Sequence, residues 1–184
     1  PGEDVLMSYV LKPTALPEFW ARLSFPLGLM IREALLDYVP SHSEIQLKWP
    51  NDILINGKKC VGMLHSADPK LGLVVLGIGI NVNQLSDQDD RTSLRSMSSI
   101  ELNRWDVLND VLLALGRHYD QLVSSTINVD AWNEVAAYIG KSVTVFDQST
   151  INGVFLGIDH QGAALIDTET GIKPVLTGSN LRLV

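Results

Sequence analysis

Cysteine is almost missing from this sequence: Cys60 stands alone, which rules out an internal disulfide and suits a reducing compartment. It sits in an apolar run, so it reads as a small core side chain. Histidine is scarce and scattered, at 42, 65, 118 and 160, a spacing that matches no metal site, so no metal-ligating residues are expected. Positive charge is also short. Fourteen basic residues face 21 acidic ones, a net charge of −7. A general nucleic-acid binder carries a basic surface, so no nucleic-acid partner is expected. There is no apolar run of roughly eighteen residues or more, hence no helical membrane span. No basic stretch followed by an apolar one opens the sequence, so no secretory signal is visible and the expected compartment is the cytoplasm.

What remains is an ordinary globular composition over 184 residues, with 46% apolar and 19% charged. That length fits one domain, or one domain with a small satellite. After a turn at Pro1-Gly2, residues 5–11 read as a strand with apolar residues on both faces, Val5, Met7, Tyr9 and Leu11 on one and Leu6 and Val10 on the other. Such a strand is expected to be covered on both sides. The periodicity predicts a helix over 26–39, with Pro26 in its first turn and Pro40 ending it. Residues 44–49 read as a strand. Asn56-Gly57 between alternating apolar runs predicts a hairpin, with 53–55 and 58–67 as its arms. Residues 71–83 form a near-continuous apolar strand, expected at the centre of a sheet.

Residues 84–99 are polar and read as a mobile loop. Asn103 caps a predicted helix over 104–124, with Leu108, Val111, Leu112, Leu115, Tyr119 and Leu122 at helical spacing. A second helix is expected from Asn128 or Asp130 to Gly140. After Gly140 the texture changes to short strands parted by turns at 147–149, 160–162, 168–171 and 177–179, which predicts a barrel-like module of about five strands. The expected division is 1–139 and 140–184.

Charge concentrates in KWPNDILINGKKCVGMLHS, residues 48–66. A two-residue turn at 56–57 sets Ile55 opposite Lys58 and Leu54 opposite Lys59. Lys59 then shares a face with Leu54 and Asp52. A lysine and a carboxylate facing a pocket in an apolar sheet are costly unless paired or used. Gly62, Gly77 and Gly79 interrupt neighbouring strands, where glycine marks close approach of a ligand or another backbone. Asn81 and Asn83 end the last of them. Together they suggest a pocket with an apolar floor, a cation for an anionic group, and amides for specificity. The plainer alternatives stay open: lysines on solvated strand edges, an Asn-Gly pair that only turns the chain, and glycines that only ease helix packing.

Three motifs carry a resemblance. Lys48-Trp49-Pro50-Asn51-Asp52, then Lys59-Cys60-Val61-Gly62-Met63-Leu64, then Gly77-Ile78-Gly79-Ile80-Asn81-Val82-Asn83 resemble those of the biotin protein ligases. The opening residues look like the segment that follows that family's biotin-binding loop. The final stretch looks like its C-terminal SH3-like domain. The resemblance implies an α/β (α+β) fold in which a mixed sheet packs helices, as in the class II synthetases, followed by a small SH3-like barrel. It implies ATP-dependent formation of biotinyl-5′-AMP and transfer of biotin to a lysine of a biotin carboxyl carrier domain, with ATP, Mg²⁺ and biotin as cofactors and substrate.

Carried over residue by residue, Lys59 and Asp52 are catalytic. Lys59, Gly62, Leu64, Gly77 and Gly79 bind biotin. Lys48, Asn51, Asn81 and Arg182 meet the nucleotide. Two departures stand out. The family's Gly-Arg-Gly-Arg loop is absent, which makes the sequence read as an N-terminally incomplete piece. Ser66 also stands where the family often has an acidic residue. The alternatives are a non-catalytic relative binding biotin or carrier protein, and a lipoate or octanoyl transferase. A homodimer through sheet edges is a further expectation.

Overall fold

A computed structural model describes residues 3–85, 89–147, 149–176 and 179–184, by backbone alone at 179 and 180. Pro1 and Gly2 of the expected opening turn, residues 86–88 of the expected loop, Gln148 in the turn 147–149, and Thr177 and Gly178 in the turn 177–179 lie outside the described residues.

The first sheet is built from β1 (Val5–Leu11), β2 (Ile45–Lys48), β3 (Asp52–Ile55), β4 (Lys58–Asp68) and β5 (Leu73–Ile80), in the order β1-β5-β4-β3-β2. Its strand pairings are antiparallel. The sheet is therefore antiparallel and not mixed as expected; its parallel pairings are two isolated bridges to residues outside its strands, Leu47 to Ala136 and Lys59 to Arg91. Asn56 and Gly57 both hold positive φ, 49° and 78°, which the tight β3–β4 turn requires of its two central residues. The register beyond the turn is the expected one, Ile55 opposite Lys58 and Leu54 opposite Lys59. A bulge follows, because Ile53 already opposes Val61, and Cys60 is the extra residue.

One face of this sheet is the core. Val61, Met63, Val74, Leu76, Ile78 and Ile80 are buried there, and α1 (Ser24–Leu35) packs on β2, β3 and β4. This helix contains both Pro26 and Gly28, and glycine alone costs about 1 kcal/mol in a helix interior. Burial decides the outcome: Leu27, Ile31 and Leu35 are all buried, at about 1.5–3 kcal/mol each. Gly28 also lets the helix come close, since a Cβ there would lie 3.3 Å from Leu47 Cδ2. The helix expected over 26–39 therefore begins two residues earlier. Its final turn tightens into a 3₁₀ segment, Leu36–Tyr38, and another precedes it, Pro17–Leu23.

The segment expected to be a mobile loop is folded where it is described. Its polar residues find partners: Leu94 N donates to Asn81 O and Arg95 N to Val82 O, while Asn81 Nδ2 donates to Thr92 O. Ser93 caps α2 (Leu94–Ser98) by accepting from Ser96 N.

The helix expected over 104–124 divides into α3 (Arg104–Arg117), capped by Asn103 as expected, and α4 (Tyr119–Val123), with His118 non-helical between them. The break rotates the pattern. Val107, Val111, Ala114, Leu115 and Leu122 are buried, whereas Leu112 and Tyr119 are exposed. The next helix, α5 (Val129–Glu134), is capped by Asn128 but stops six residues short of Gly140, because Ala137 N leaves the helix to donate to Leu47 O. Gly140 does take positive φ (72°), in the turn that enters the second sheet.

That sheet consists of β6 (Ser142–Asp147), β7 (Ser149–Ile158), β8 (Ala164–Thr168), β9 (Gly171–Val175) and β10 (Ser179–Leu183), in the order β10-β6-β7-β8-β9. Val143, Val145, Phe155 and Ile166 are fully buried in it, and they belong to the same continuous apolar cluster as the first sheet.

Candidate functional site

The other face of the first sheet is nearly bare. Register lines up Leu6, Gly79, Gly62 and Asp52 across β1, β5, β4 and β3, and beside them Ser8, Gly77 and Leu64. The rows form the floor of an open cleft of about 540 Å³, into which Lys59 and Asn51 also project. β5 lies inside the sheet as expected, between β1 and β4, but the expectation that β1 is covered on both sides fails here. Leu6 is 87% exposed and Leu64 72% exposed, because their partners on β5 are Gly79 and Gly77, which carry no side chain to pack against.

Lys59 and Asp52 meet as the pattern of alternation requires. Lys59 Nζ lies 2.5 Å from Asp52 Oδ1, with Asp52 largely shielded and Lys59 partly open. Gly62 explains how. A Cβ there would lie 3.2 Å from both Lys59 Cε and Nζ, so the bare backbone gives the lysine room to cross to its partner. The Lys59 backbone is clamped as well: its N–H donates to Asp90 O and its carbonyl accepts from Thr92 N.

Asn51 is committed to the wall. Its Nδ2 donates to Met63 O at 2.5 Å, and its carbonyl accepts from Met63 N at 2.9 Å. The turn 49–52 is thereby tied to β4 from inside the cleft.

Of the ten residues selected from sequence, the cleft gathers Asn51, Asp52, Lys59, Gly62, Leu64, Gly77 and Gly79. It does not gather Lys48, Asn81 or Arg182. Asn81 spends its amide on Thr92 O, beside the cleft end of β5. Lys48 is half-buried opposite Asp52, and burial pulls its pKa below the ordinary 10.5; Asp52 opposes that shift, while Lys59 and Arg182 add to it. Arg182 is exposed on β10, within electrostatic reach of Lys48. Lys48, Arg182 and Asp90 form an electrostatic fringe around the Lys59–Asp52 pair.

Sequence reasoning missed three contributions. Leu6 and Ser8 of β1 line the cleft, and the outward alternation of Leu6 was a usable signal. Tyr138, at φ 71°, stands near enough for the Asp52 charge to join burial in raising its pKa. Residues 90–92 hold Lys59, and their polar composition gave no sign of it. Cys60 is buried as expected, and burial pushes its thiol up to about 12. Among the described residues there is no group of three or more His, Cys, Asp or Glu able to hold a metal ion, and no helix long and apolar enough to cross a membrane.

Comparison with known proteins gives a consistent picture. Residues 2–83 match the model of the biotin/lipoate A/B protein ligase family, and residues 138–179 match that of the biotin protein ligase C-terminal domain. The bifunctional ligase/repressor BirA of Bacillus spizizenii is 34% identical, with 95% of this chain and 57% of that protein aligned. The biotin–[acetyl-CoA-carboxylase] ligase of Mycobacterium tuberculosis is 28% identical over 89% of this chain and 64% of its own length. The solved structure of the Aquifex aeolicus biotin protein ligase in complex with biotin and ATP superposes with a TM-score of 0.85 at 30% identity, covering 99% of this chain and 79% of that one. The chain thus spans somewhat more than half the length of the curated relatives named here.

Proposed function

The chain belongs to the biotin protein ligase family, and we propose that it joins biotin to ATP as biotinyl-5′-AMP and then transfers biotin to a lysine of a biotin carboxyl carrier domain. The observation that carries this reading is the Lys59–Asp52 pair at the end of a cleft floored by glycine. A match to the biotin ligase C-terminal domain over 138–179 supports biotin over lipoate as the acid. Nothing favours a non-catalytic relative.

The first step brings a carboxylate against a polyphosphate. Two unit charges about 4 Å apart near a protein surface repel by roughly 4 kcal/mol, so a fixed cation is required where they meet. In this proposal the Lys59 ammonium is that cation, held by Asp52. Gly62, Gly77, Gly79 and Leu64 line the slot for the biotin body, with its carboxylate toward Lys59. A carboxylate oxygen attacks the α-phosphorus, the Pα–O bond to the β-phosphate breaks, and pyrophosphate leaves with the electron pair. The neutral amine of the carrier lysine then attacks the acyl carbon. An amide bond forms, the C–O bond to AMP breaks, and the amine proton passes to solvent. Lys48, Asn51, Asn81 and Arg182 are proposed to meet the nucleotide, Lys48 and Arg182 as cations near its phosphates and Asn51 by holding the wall.

Mg²⁺ accompanies nucleotide phosphates in reactions of this class. The donor set here does not build a site of its own: Asp52 is the one carboxylate lining the cleft among the described residues, and Lys59 already engages it. The division at 139/140, a cytoplasmic location and a homodimer through the outer strands of the first sheet belong to the same proposal.

Calorimetry with biotin and ATP, followed by mass spectrometry of a carrier domain, tests the reading. Lys59→Ala is expected to abolish adenylate formation with the circular dichroism spectrum unchanged. Turnover at the parent rate in that variant would overturn the assignment.

A further inference from the structure

Trp49 lies between Lys48 and the Asn51-Asp52 turn, yet its side chain faces away from the cleft. It is buried, at 1% exposure, and its indole N–H donates to the carbonyl of Gly162 at 3.0 Å, across 113 residues of sequence. The acceptor is built with care. Gly162 holds φ 81°, and a Cβ there would lie 2.4 Å from Phe25 Cε2, so its carbonyl is presented where a side chain does not fit. Asp159 fixes the turn by accepting from Gln161 N at 2.8 Å and Ala163 N at 3.0 Å through its carboxylate, while Gly162 N donates to its carbonyl. Phe25 is held in turn by Trp132, edge to face at a centroid distance of 5.6 Å. Asn133, the next residue, clasps the strand leading into the turn, donating to Ile158 O and accepting from Ile158 N. The turn of the second sheet is thus anchored on both sides before it meets Trp49.

We propose that the turn 159–163 positions the Lys48–Asp52 segment through the Trp49 to Gly162 hydrogen bond, making Trp49 a positioning residue for adenylate formation. This rests on the biotin ligase reading above. The segment is held at three points. Leu47 pairs with Val135 and Ala137, Asn51 ties to Met63, and Trp49 is held by Gly162. Lys48 and Asp52 also pair with each other, and Asp52 with Gly62; the Gly162 contact adds a hold on the turn between them, and Asp52 sets where the Lys59 ammonium points. Trp49 touches no reacting atom; it acts through the geometry of its neighbours. Small displacements of a charged group are costly in a step governed by electrostatic placement.

The test uses the full-length protein with Trp49→Phe, which keeps a buried ring and removes the N–H, and with Asp159→Ala, which loosens the turn far from the cleft. Biotin- and ATP-dependent pyrophosphate release is measured at saturation, alongside biotin affinity and the thermal midpoint. The expected result is about a ten-fold fall in kcat for Trp49→Phe. Asp159→Ala should show a smaller fall, and the KM for biotin should stay within about two-fold in both. A core-filling role would lower the thermal midpoint and leave kcat unchanged; that pattern overturns the proposal. If Trp49→Phe does not fold, Asp159→Ala decides by the same split. If the parent protein forms no adenylate, the ligase reading itself fails and takes this proposal with it.

Discussion

The Lys59 ammonium and the Gly62 backbone occupy one space: a Cβ at 62 would lie 3.2 Å from Nζ, and 3.8 Å from the Asp52 oxygen that Nζ approaches. The glycine is thus a condition of the ion pair, beyond being part of a smooth floor. Gly62→Ala should leave the sheet intact, because the neighbour that must yield is the end of a flexible side chain. It should deflect Lys59 and lower the rate of adenylate formation at least about ten-fold, with biotin affinity less affected. Pyrophosphate release and calorimetry on the same preparation read both quantities. An unchanged rate would show that Lys59 needs no such clearance.

Asp52 and Lys59 should behave as one unit. Their side chains are partly exposed, so the pair contributes little to stability by itself. Its work is orientation. Asp52→Asn is therefore expected to change the melting temperature by a degree or two and the rate of adenylation by about 100-fold. The double variant with Lys59→Ala should be no slower than Lys59→Ala alone, since groups acting together are non-additive. Multiplicative losses would mean that the two side chains act independently.

Gly77 offers a cleaner probe of the slot. A Cβ there would meet Leu64 O at 3.5 Å and Leu64 Cβ at 3.9 Å, ordinary contacts, so a side chain costs the fold little and projects into the cleft. Gly77→Val is expected to fold normally, since valine favours strands. It should weaken biotin binding by ten-fold or more by filling the floor. Retained biotin affinity would place the ligand elsewhere.

Much of this site was legible because period-two alternation and a two-residue turn are strict. Asn56-Gly57 fixes the register, the register places Lys59 across from Leu54, and alternation returns Asp52 to the same face. The bulge at Cys60 was not legible, since no residue there demands one. The 84–99 segment misled for a physical reason. Polar side chains look like a solvated loop, but the Asn81 side chain and the backbone of Thr92, Leu94 and Arg95 bond the segment to the first sheet, and Ser93 caps the helix that follows. Gly140 was a true positive-φ position with a different role: strand β2 captures Ala137 before the helix can reach it. The outward Leu6 and Leu64 show the limit of reading apolar runs as buried, because alternation gives the face and not what covers it.

Cys60 permits a test of the buried sheet against pH. Its thiol is 1% exposed, and its Sγ lies 3.5 Å from Asn81 O. Burial, with a smaller push from Asp4, raises its pKa from 9.0 to about 12. The folded value lies above the unfolded one, so between pH 9 and 12 the unfolded chain gives up this proton and the folded chain keeps it. The contribution is fully present below pH 9 and is lost upward through that window, at about 1.4 kcal/mol per pH unit. Tyr38 and Tyr138, both raised, act in the same direction, while Lys48, lowered, acts in the opposite one. The wild-type curve is therefore a sum, and the difference between it and Cys60→Ala isolates the thiol. Urea unfolding of both proteins from neutral to alkaline pH should give curves that are parallel at low pH and converge above pH 9. Native protein should also resist Ellman's reagent at about pH 8 and react at once in denaturant. Curves that stay parallel throughout, or a native thiol that reacts within minutes, would place Cys60 outside the core between β4 and β5.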